Sequence, residues 1–358
     1  MEIRIGNRTI SEMSEPYFIA DIAANHDGDL NRAYRLIELA KEAGADAAKF
    51  QNFKAETIVS RKGFESLDGQ LSHQSSWKKS VFETYKDASL PDMWSRKLKE
   101  KCDEVGIEYM TSPYDFASVD LADQYVNAYK IGSGDITWTE IIKHIAQKGK
   151  PVLLATGASD MEDVKRAVEA VRAYNSQIIL MQCNTNYTAS DTNFSYINLN
   201  VLRAYHEWYS ECVLGLSDHT FGHATVLGAL ALGARVFEKH FTDDNDREGP
   251  DHKFSMNPVT WRKMVKACKD LYHALGDGIK RVEENERDTV TIQRRAFYLR
   301  RDLRKGEAIR EEDIFPLRPV KTGAVLPFEK QDVLGRRLIR DKHRDECLKW
   351  EDIQDDKR

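Results

Sequence analysis

What is missing narrows the field first. Cysteine is scarce: Cys102, Cys183, Cys212, Cys268 and Cys347 make up the whole complement of 5, with no CxxC pair and no regular spacing. An odd, scattered set excludes a disulfide framework and predicts free thiols in a reducing cytoplasm. No run approaches the ~20 apolar residues that span a bilayer, and the first residues, MEIRIGNRTISEMSE, contain no apolar signal core. Neither membrane insertion nor export is expected. Proline is sparse, 9 in 358 residues, which leaves little room for long Pro-rich disorder. Nor does one sign of charge dominate, since 53 Lys and Arg face 58 Asp and Glu. The chain therefore has no global pull toward nucleic acid or an anionic membrane, and small molecules are the expected partners. The dinucleotide fingerprint GxGxxG is also absent.

What is present is a folding chain with a repeated alternation. It is 41% hydrophobic and 31% charged, ample for a packed core. Short apolar runs at Tyr17–Ala20, Ala47–Phe50, Ile107–Met110, Ala128–Ile131, Val152–Ala155, Ile178–Met181, Val213–Leu216 and Val236–Phe237 have strand character. Helical spacing separates them, as in Leu30, Ala33, Leu36, Ile37 and Ala40. AGADAAKF and LGARVFEKH place a glycine where a helix would end and a strand begin. Eight strand–helix units within about 250 residues predict a (β/α)₈ TIM barrel rather than an open sheet. Near residue 282 the character changes. The predicted organisation is a barrel over 1–282, a linker over 283–291, and a compact β-rich module over 292–358. That module is basic at its start, but its sparse aromatics weigh against nucleic-acid binding.

Each apolar run ends in polar residues, the seventh in Ser217, Asp218 and His219 and the eighth in Glu238, Lys239 and His240. In a barrel the C-terminal strand ends face one pocket, so side chains far apart in sequence converge there. His219 and His240 follow strands seven and eight; two imidazoles plus water would leave a divalent ion open to substrate. Lys49 and Lys130 end strands two and four and suit an anion such as phosphate, with Thr111, Ser133 and Ser217 as hydrogen-bond donors. The IGSGD turn adds backbone amides. Asp21, Asp135 and Asp251 supply carboxylates. A Schiff-base aldolase using one of the lysines is the rival chemistry.

FIADIAANHDGDLNRAYRLIELAKEAGADAAKFQ, TSPYD, YKIGSGD, LATG, GLSDHT, FEKHFT and GPDHKFS, in that order, resemble the sialic acid synthase family, which includes legionaminic and pseudaminic acid synthases. The tail from RRAFYLRRDLRKGEAIREEDIFPLRP resembles its antifreeze-like (SAF) domain. The resemblance implies condensation of phosphoenolpyruvate with an open-chain aminosugar to a nonulosonic 3-deoxy-2-keto acid plus phosphate. It implies that His219 and His240 hold a divalent ion, usually Mn²⁺. Lys49, Thr111, Lys130, Ser133 and Ser217 would bind phosphoenolpyruvate, while Tyr187, Asp135 and Asp251 would lie on the sugar side. It also implies a homodimer in which Arg318 of the SAF domain reaches the partner's barrel.

The motifs depart from the family pattern in places. ADIAANH puts Asp21 where the family commonly has Glu, making Asp21 the candidate to steady the cationic centre and handle the attacking water. Asp135 also replaces a usual Glu, Ala155 a phosphate-contacting Ser, and Thr188 a Pro. The stretch from Asn52 to Pro91, expected to fold over the pocket, lacks the Asn-bearing pattern suited to N-acetylmannosamine, which is therefore predicted to be a poor substrate. A catalytically silent sugar-binding homologue is the alternative from another class; retention of both lysines and both histidines argues against it.

Overall fold

The computed structural model describes residues 1–67 and 69–355, with the side chains of Ser72 and Ser76 left aside. Two compact units divide the chain, Met1–Gly276 and Asp277–Arg358. The first opens with an antiparallel hairpin, β1 (Ile3–Ile5) and β2 (Arg8–Ile10), which the sequence reading did not anticipate. Its isoleucines Ile3, Ile5 and Ile10 pack into one apolar cluster with the inward residues Ile19, Met110, Leu153, Ile179 and Val213. The hairpin thus closes the N-terminal end of the barrel.

Eight parallel strands follow: β3 (Tyr17–Asp21), β4 (Ala47–Asn52), β5 (Glu108–Pro113), β6 (Tyr129–Ile131), β7 (Val152–Ala155), β8 (Ile178–Cys183), β9 (Val213–Asp218) and β10 (Val236–His240). They close in the order β10-β3-β4-β5-β6-β7-β8-β9, so the predicted (β/α)₈ barrel is observed. Residues buried on both faces explain why the strands read as apolar runs rather than alternations. Between strands and helices lies a second cluster, in which Leu36, Ile37 and Ala40 of helix Leu30–Ala43 meet Phe18 and Phe50. Asp29 caps that helix by accepting from the Asn31 and Arg32 amides. Gly44 ends it at φ 95, a left-handed turn a β-carbon would strain.

The second unit carries the antiparallel pair β11 (Ala296–Leu299) and β12 (Ile314–Leu317) around its own apolar cluster, including Phe297, Leu299, Val325 and Leu348. The stretch expected to be a linker, 283–291, lies in a 3₁₀ turn at Glu284–Glu286 and a helix at Arg287–Gln293. Residues 356–358 of the expected module lie outside the described residues. All five cysteines are free and buried. No helix among the described residues is long and apolar enough to cross a membrane.

Candidate active site

Above the apolar plug the barrel interior turns charged. Lys49 on β4 and Lys130 on β6 are both buried, and Lys130 Nζ donates to Glu238 Oε1 on β10 at 2.7 Å. Lys49 Nζ lies 2.7 Å from Asp21 Oδ2, 3.9 Å from Glu238 Oε1 and 3.5 Å from Ser112 Oγ. Ser217 Oγ donates to Glu238 at 3.1 Å, and Gln51 Nε2 to Asp21 at 3.2 Å. The second Glu238 oxygen is buried without a hydrogen-bond partner. Two ammonium groups and two carboxylates thus share one water-poor layer where electrostatics act at short range and low screening.

The two carboxylates are pushed apart. Burial would raise Glu238, but Lys130 and Lys49 hold it at about 2. Asp21 moves the other way: burial raises it, Glu238 adds to the rise, and Lys49 only partly opposes. Of the pair, Asp21 is therefore the better proton acceptor. Burial would lower Lys49, but the carboxylates of Asp21 and Glu238 outweigh it and keep the amine charged.

The imidazoles of His219 and His240 stand beside this layer, ring centroids 5.4 Å apart. His219 Nδ1 is 3.1 Å from the Asn184 carbonyl, a bond that makes Nδ1 the donor and leaves Nε2 as a lone pair. His240 Nδ1 is buried without a hydrogen-bond partner, and its Nε2 lies 3.6 Å from Asp21 Oδ2. Burial holds His240 down at about 3, so its ring is neutral at physiological pH. Burial would lower His219, but Cys183, Asp218 and the Asn184 carbonyl outweigh it and raise its imidazole. With its Nδ1 turned to Asn184, and with His240 neutral and carrying an unsatisfied buried nitrogen, the pair offers nitrogen donors that fit a divalent ion once His219 gives up its proton as the metal binds. Among the described residues no three His, Cys, Asp or Glu side chains are grouped to cage one, so the protein's donor set would remain open.

A cavity of about 160 Å³ opens next to His240 and Asp251. Its outer wall comes from the chain between β4 and β5, with Phe53, Ile58, His73, Trp77 and Tyr85. Tyr187 closes another side, its ring 4.3 Å from His219 and 5.3 Å from Phe254. Asp251 Oδ2 accepts from the Ala24 amide at 3.3 Å and lies 3.9 Å from His240 Nδ1. Asp135 follows β6, and burial raises its carboxyl to about 6. Ser133 Oγ accepts from the Gly157 amide at 3.0 Å; a β-carbon at Gly157 would stand 1.8 Å from Thr185 Oγ1, so only glycine passes there.

The structure thus gathers Asp21, Lys49, Lys130, Ser133, Ser217, His219, His240, Tyr187 and Asp251 at one end of the barrel. Thr111 does not join them. Its hydroxyl sits 3.1 Å from the Phe50 carbonyl and 2.6 Å from Asn52 Oδ1, while Asn52 donates to Ser95 on the helix layer. The neighbouring Ser112 faces Lys49 instead, a one-residue slip that reverses the face in a strand. Asp218 and Lys239, read among the strand-end polar groups, also turn away from the pore and pair behind it. Arg318 belongs to the C-terminal unit, where it is exposed. Glu238 was read only as one of the strand-end polar groups, without a role of its own, and His73 was not singled out; for Glu238 the signal was its alternation with His240.

Residues 36–280 match the model described as NeuB family and residues 294–354 the one described as SAF domain. The chain is 36% identical over 344 residues to N,N'-diacetyllegionaminic acid synthase of Legionella pneumophila, covering 94% of each protein. To N-acetylneuraminate-9-phosphate synthase of Homo sapiens it is 32% identical over 267 residues, covering 74% of this chain and 73% of that one. The crystal structure of N-acetylneuraminic acid synthetase from Leptospira borgpetersenii, in complex with citrate, superposes with a TM-score of 0.71 at 27% identity, covering 81% of this chain and 95% of that one. A closed barrel with this charged layer, followed by a module of this kind, places the chain in the NeuB family of carbon–carbon bond-forming synthases, with a C-terminal SAF domain.

Proposed function

We propose that this protein condenses phosphoenolpyruvate with an open-chain aminosugar, giving a nonulosonic 3-deoxy-2-keto acid and phosphate. The observation that carries the reading is the stacking of two features: a buried two-lysine layer and, beside it, an imidazole pair of which His240 lines a cavity and has a buried nitrogen without a hydrogen-bond partner. The lysines, with Ser112, Ser133 and Ser217, would hold the carboxylate and phosphate. The cavity would take the sugar. His219 and His240 would hold the divalent ion, Mn²⁺ in this reading, which supplies Lewis-acid polarisation of the acceptor carbonyl.

The chain's own groups then account for the rest. The lysine layer orients phosphoenolpyruvate so that its carbon 3 bonds to the aldehyde carbon, leaving positive character at carbon 2. Asp21 faces that charge as a carboxylate and accepts a proton from the water that adds there. The enol oxygen leaves with phosphate as the new ketone forms from the water oxygen. Lys49 is held protonated by Asp21 and Glu238, which makes it an anion clamp and disfavours Schiff-base chemistry at this residue.

The cavity wall is largely aromatic and aliphatic at Phe53, Ile58, Trp77 and Tyr85, and among the described residues no asparagine lines it. This supports the expectation that N-acetylmannosamine is a poor acceptor. A homodimer belongs to the reading, with exposed Arg318 as the residue a second copy would contribute.

The decisive experiment measures phosphate release from phosphoenolpyruvate with Mn²⁺ and a panel of mannosamine-type, bacillosamine-derived and simple aldose acceptors. Release that depends on one acceptor, stops with chelator and returns with Mn²⁺ is expected. No release with any acceptor overturns the reading, and high turnover with N-acetylmannosamine overturns the acceptor assignment.

A further inference from the structure

Behind the imidazole pair, on the face of the strands away from the pore, lies a buried ion pair that takes no part in the chemistry above. Lys239 and Asp218 are direct neighbours in the β9–β10 register, with side chains 2% and 1% exposed. Lys239 Nζ donates to Asp218 Oδ2 and, at 2.6 Å, to the Thr220 carbonyl. Asp218 in turn accepts from the Thr220 amide at 3.1 Å, from Thr220 Oγ1 at 2.9 Å and from Thr225 Oγ1 at 2.7 Å.

These contacts bracket the two histidines. His219 lies between Asp218 and Thr220, both pinned. His240 lies between Lys239 and Phe241, whose amide donates to the Asp21 carbonyl at 2.8 Å. The backbones that carry the imidazoles are over-determined, while His240 Nδ1 itself has no hydrogen-bond partner. An ion pair this deep contributes little net stability over an apolar pair of the same shape, so stability alone is a weak reason for it. What it does supply is a fixed distance between two strand ends.

We propose that Asp218 and Lys239 are positioning residues that set the separation of His219 and His240 and thereby their affinity for a divalent ion. The proposal rests on the metal reading given above. Neither residue touches the ion or the substrates; they act through the backbone of the strand pair.

Mn²⁺ titration of the full chain, followed by the EPR signal of free Mn²⁺ without substrates, tests it alongside melting of the metal-free protein. Asp218→Asn is expected to weaken Mn²⁺ binding by about 10- to 100-fold, the range for groups that orient metal ligands. Thr225→Val removes one hydroxyl donor to Asp218 and keeps its shape, and the melting of the metal-free variant shows that it folds; about a threefold to tenfold loss of Mn²⁺ affinity is expected. The apolar double variant Asp218→Leu/Lys239→Met is expected to melt no lower than Asp218→Asn and still to bind Mn²⁺ weakly. If Thr225→Val and the double variant bind Mn²⁺ as the unaltered protein does, the pair is a packing feature only and the proposal is wrong. Should the unaltered protein itself fail to bind Mn²⁺, the metal reading falls and the proposal falls with it.

Discussion

The strand ends of β9 and β10 and the chain between β4 and β5 both face the candidate active site, yet they are built in opposite ways. At β9 and β10 every residue from Val213 to Asp218 and from Val236 to His240 is buried, and charges are met by partners on other strands of the barrel, adjacent for Lys239 with Asp218 and across the pore for Glu238 with Lys130. Between β4 and the longer barrel helix Trp94–Val105 that leads to β5, the chain makes short helices at Ala55–Ile58, Arg61–Glu65 and Val81–Ala88, with one buried residue or none in each. Its ion pairs are exposed, as in Lys79 with Asp87, and such pairs contribute little. The difference teaches a division of labour. In the proposed reading, the groups that would act on phosphoenolpyruvate sit on the buried strands, while much of the outer wall that would face the acceptor comes from an exposed segment that can change without disturbing the barrel.

The comparison breaks most directly at the lysine layer. Lys49→Met is expected to lower kcat/KM for phosphoenolpyruvate by about 10³-fold or more, because it removes the cation and leaves Asp21 facing Glu238 in a buried site. Steady-state kinetics with circular dichroism as a fold check decides it; near-normal kcat/KM would mean the barrel layer is not the phosphoenolpyruvate site. Asp21→Asn keeps the shape and removes the proton acceptor, so kcat is expected to fall about 10²- to 10⁴-fold with KM for phosphoenolpyruvate little changed. A change in KM alone would assign Asp21 to binding instead.

A smaller effect is expected from the other region. Trp77→Ala, or Ile58→Asn, is expected to raise acceptor KM by about 10- to 100-fold while the phosphoenolpyruvate KM and the melting temperature stay close to their original values. If phosphoenolpyruvate KM moves equally, the segment is no separate acceptor wall and the division of labour is lost.

The same contrast governs how much the sequence disclosed. The barrel was legible because strands buried on both faces write short apolar runs, and helices between them write a 3.6 period. His219, His240, Lys49 and Lys130 were legible because strand position alone brings them together. Facing was not. In a fully buried strand both faces are apolar or charged, so no alternation distinguishes Ser112, which meets Lys49, from Thr111, which meets the Phe50 carbonyl and Asn52. Asp218 and Lys239 were misplaced for the same reason, and Glu238, read only as one of the strand-end polar groups, was given no role of its own. The opening hairpin went unread although IRIGNRTI alternates Ile3, Ile5 and Ile10 about a Gly-Asn turn. His73 and Trp77 were beyond reach, since a segment of exposed short helices has no period that says which residues turn inward.

The smallest expected effect concerns Asp135, which belongs to the barrel by position and to the acceptor side by assignment. Burial raises its carboxyl to about 6. Below pH 6 it is therefore mostly neutral, and above pH 6 mostly a carboxylate. If the carboxylate accepts a hydrogen bond from an acceptor hydroxyl or amide, acceptor KM should rise severalfold as pH falls from about 7 to about 5, since a charged acceptor forms the stronger bond. The phosphoenolpyruvate KM should not share that inflection. Asp135→Asn, which has the same shape and no titration, should give an acceptor KM that is flat across the window. An inflection that survives in the Asn variant would belong to another group, and Asp135 would then be a turn residue of Ser133–Asp135 rather than part of the acceptor site.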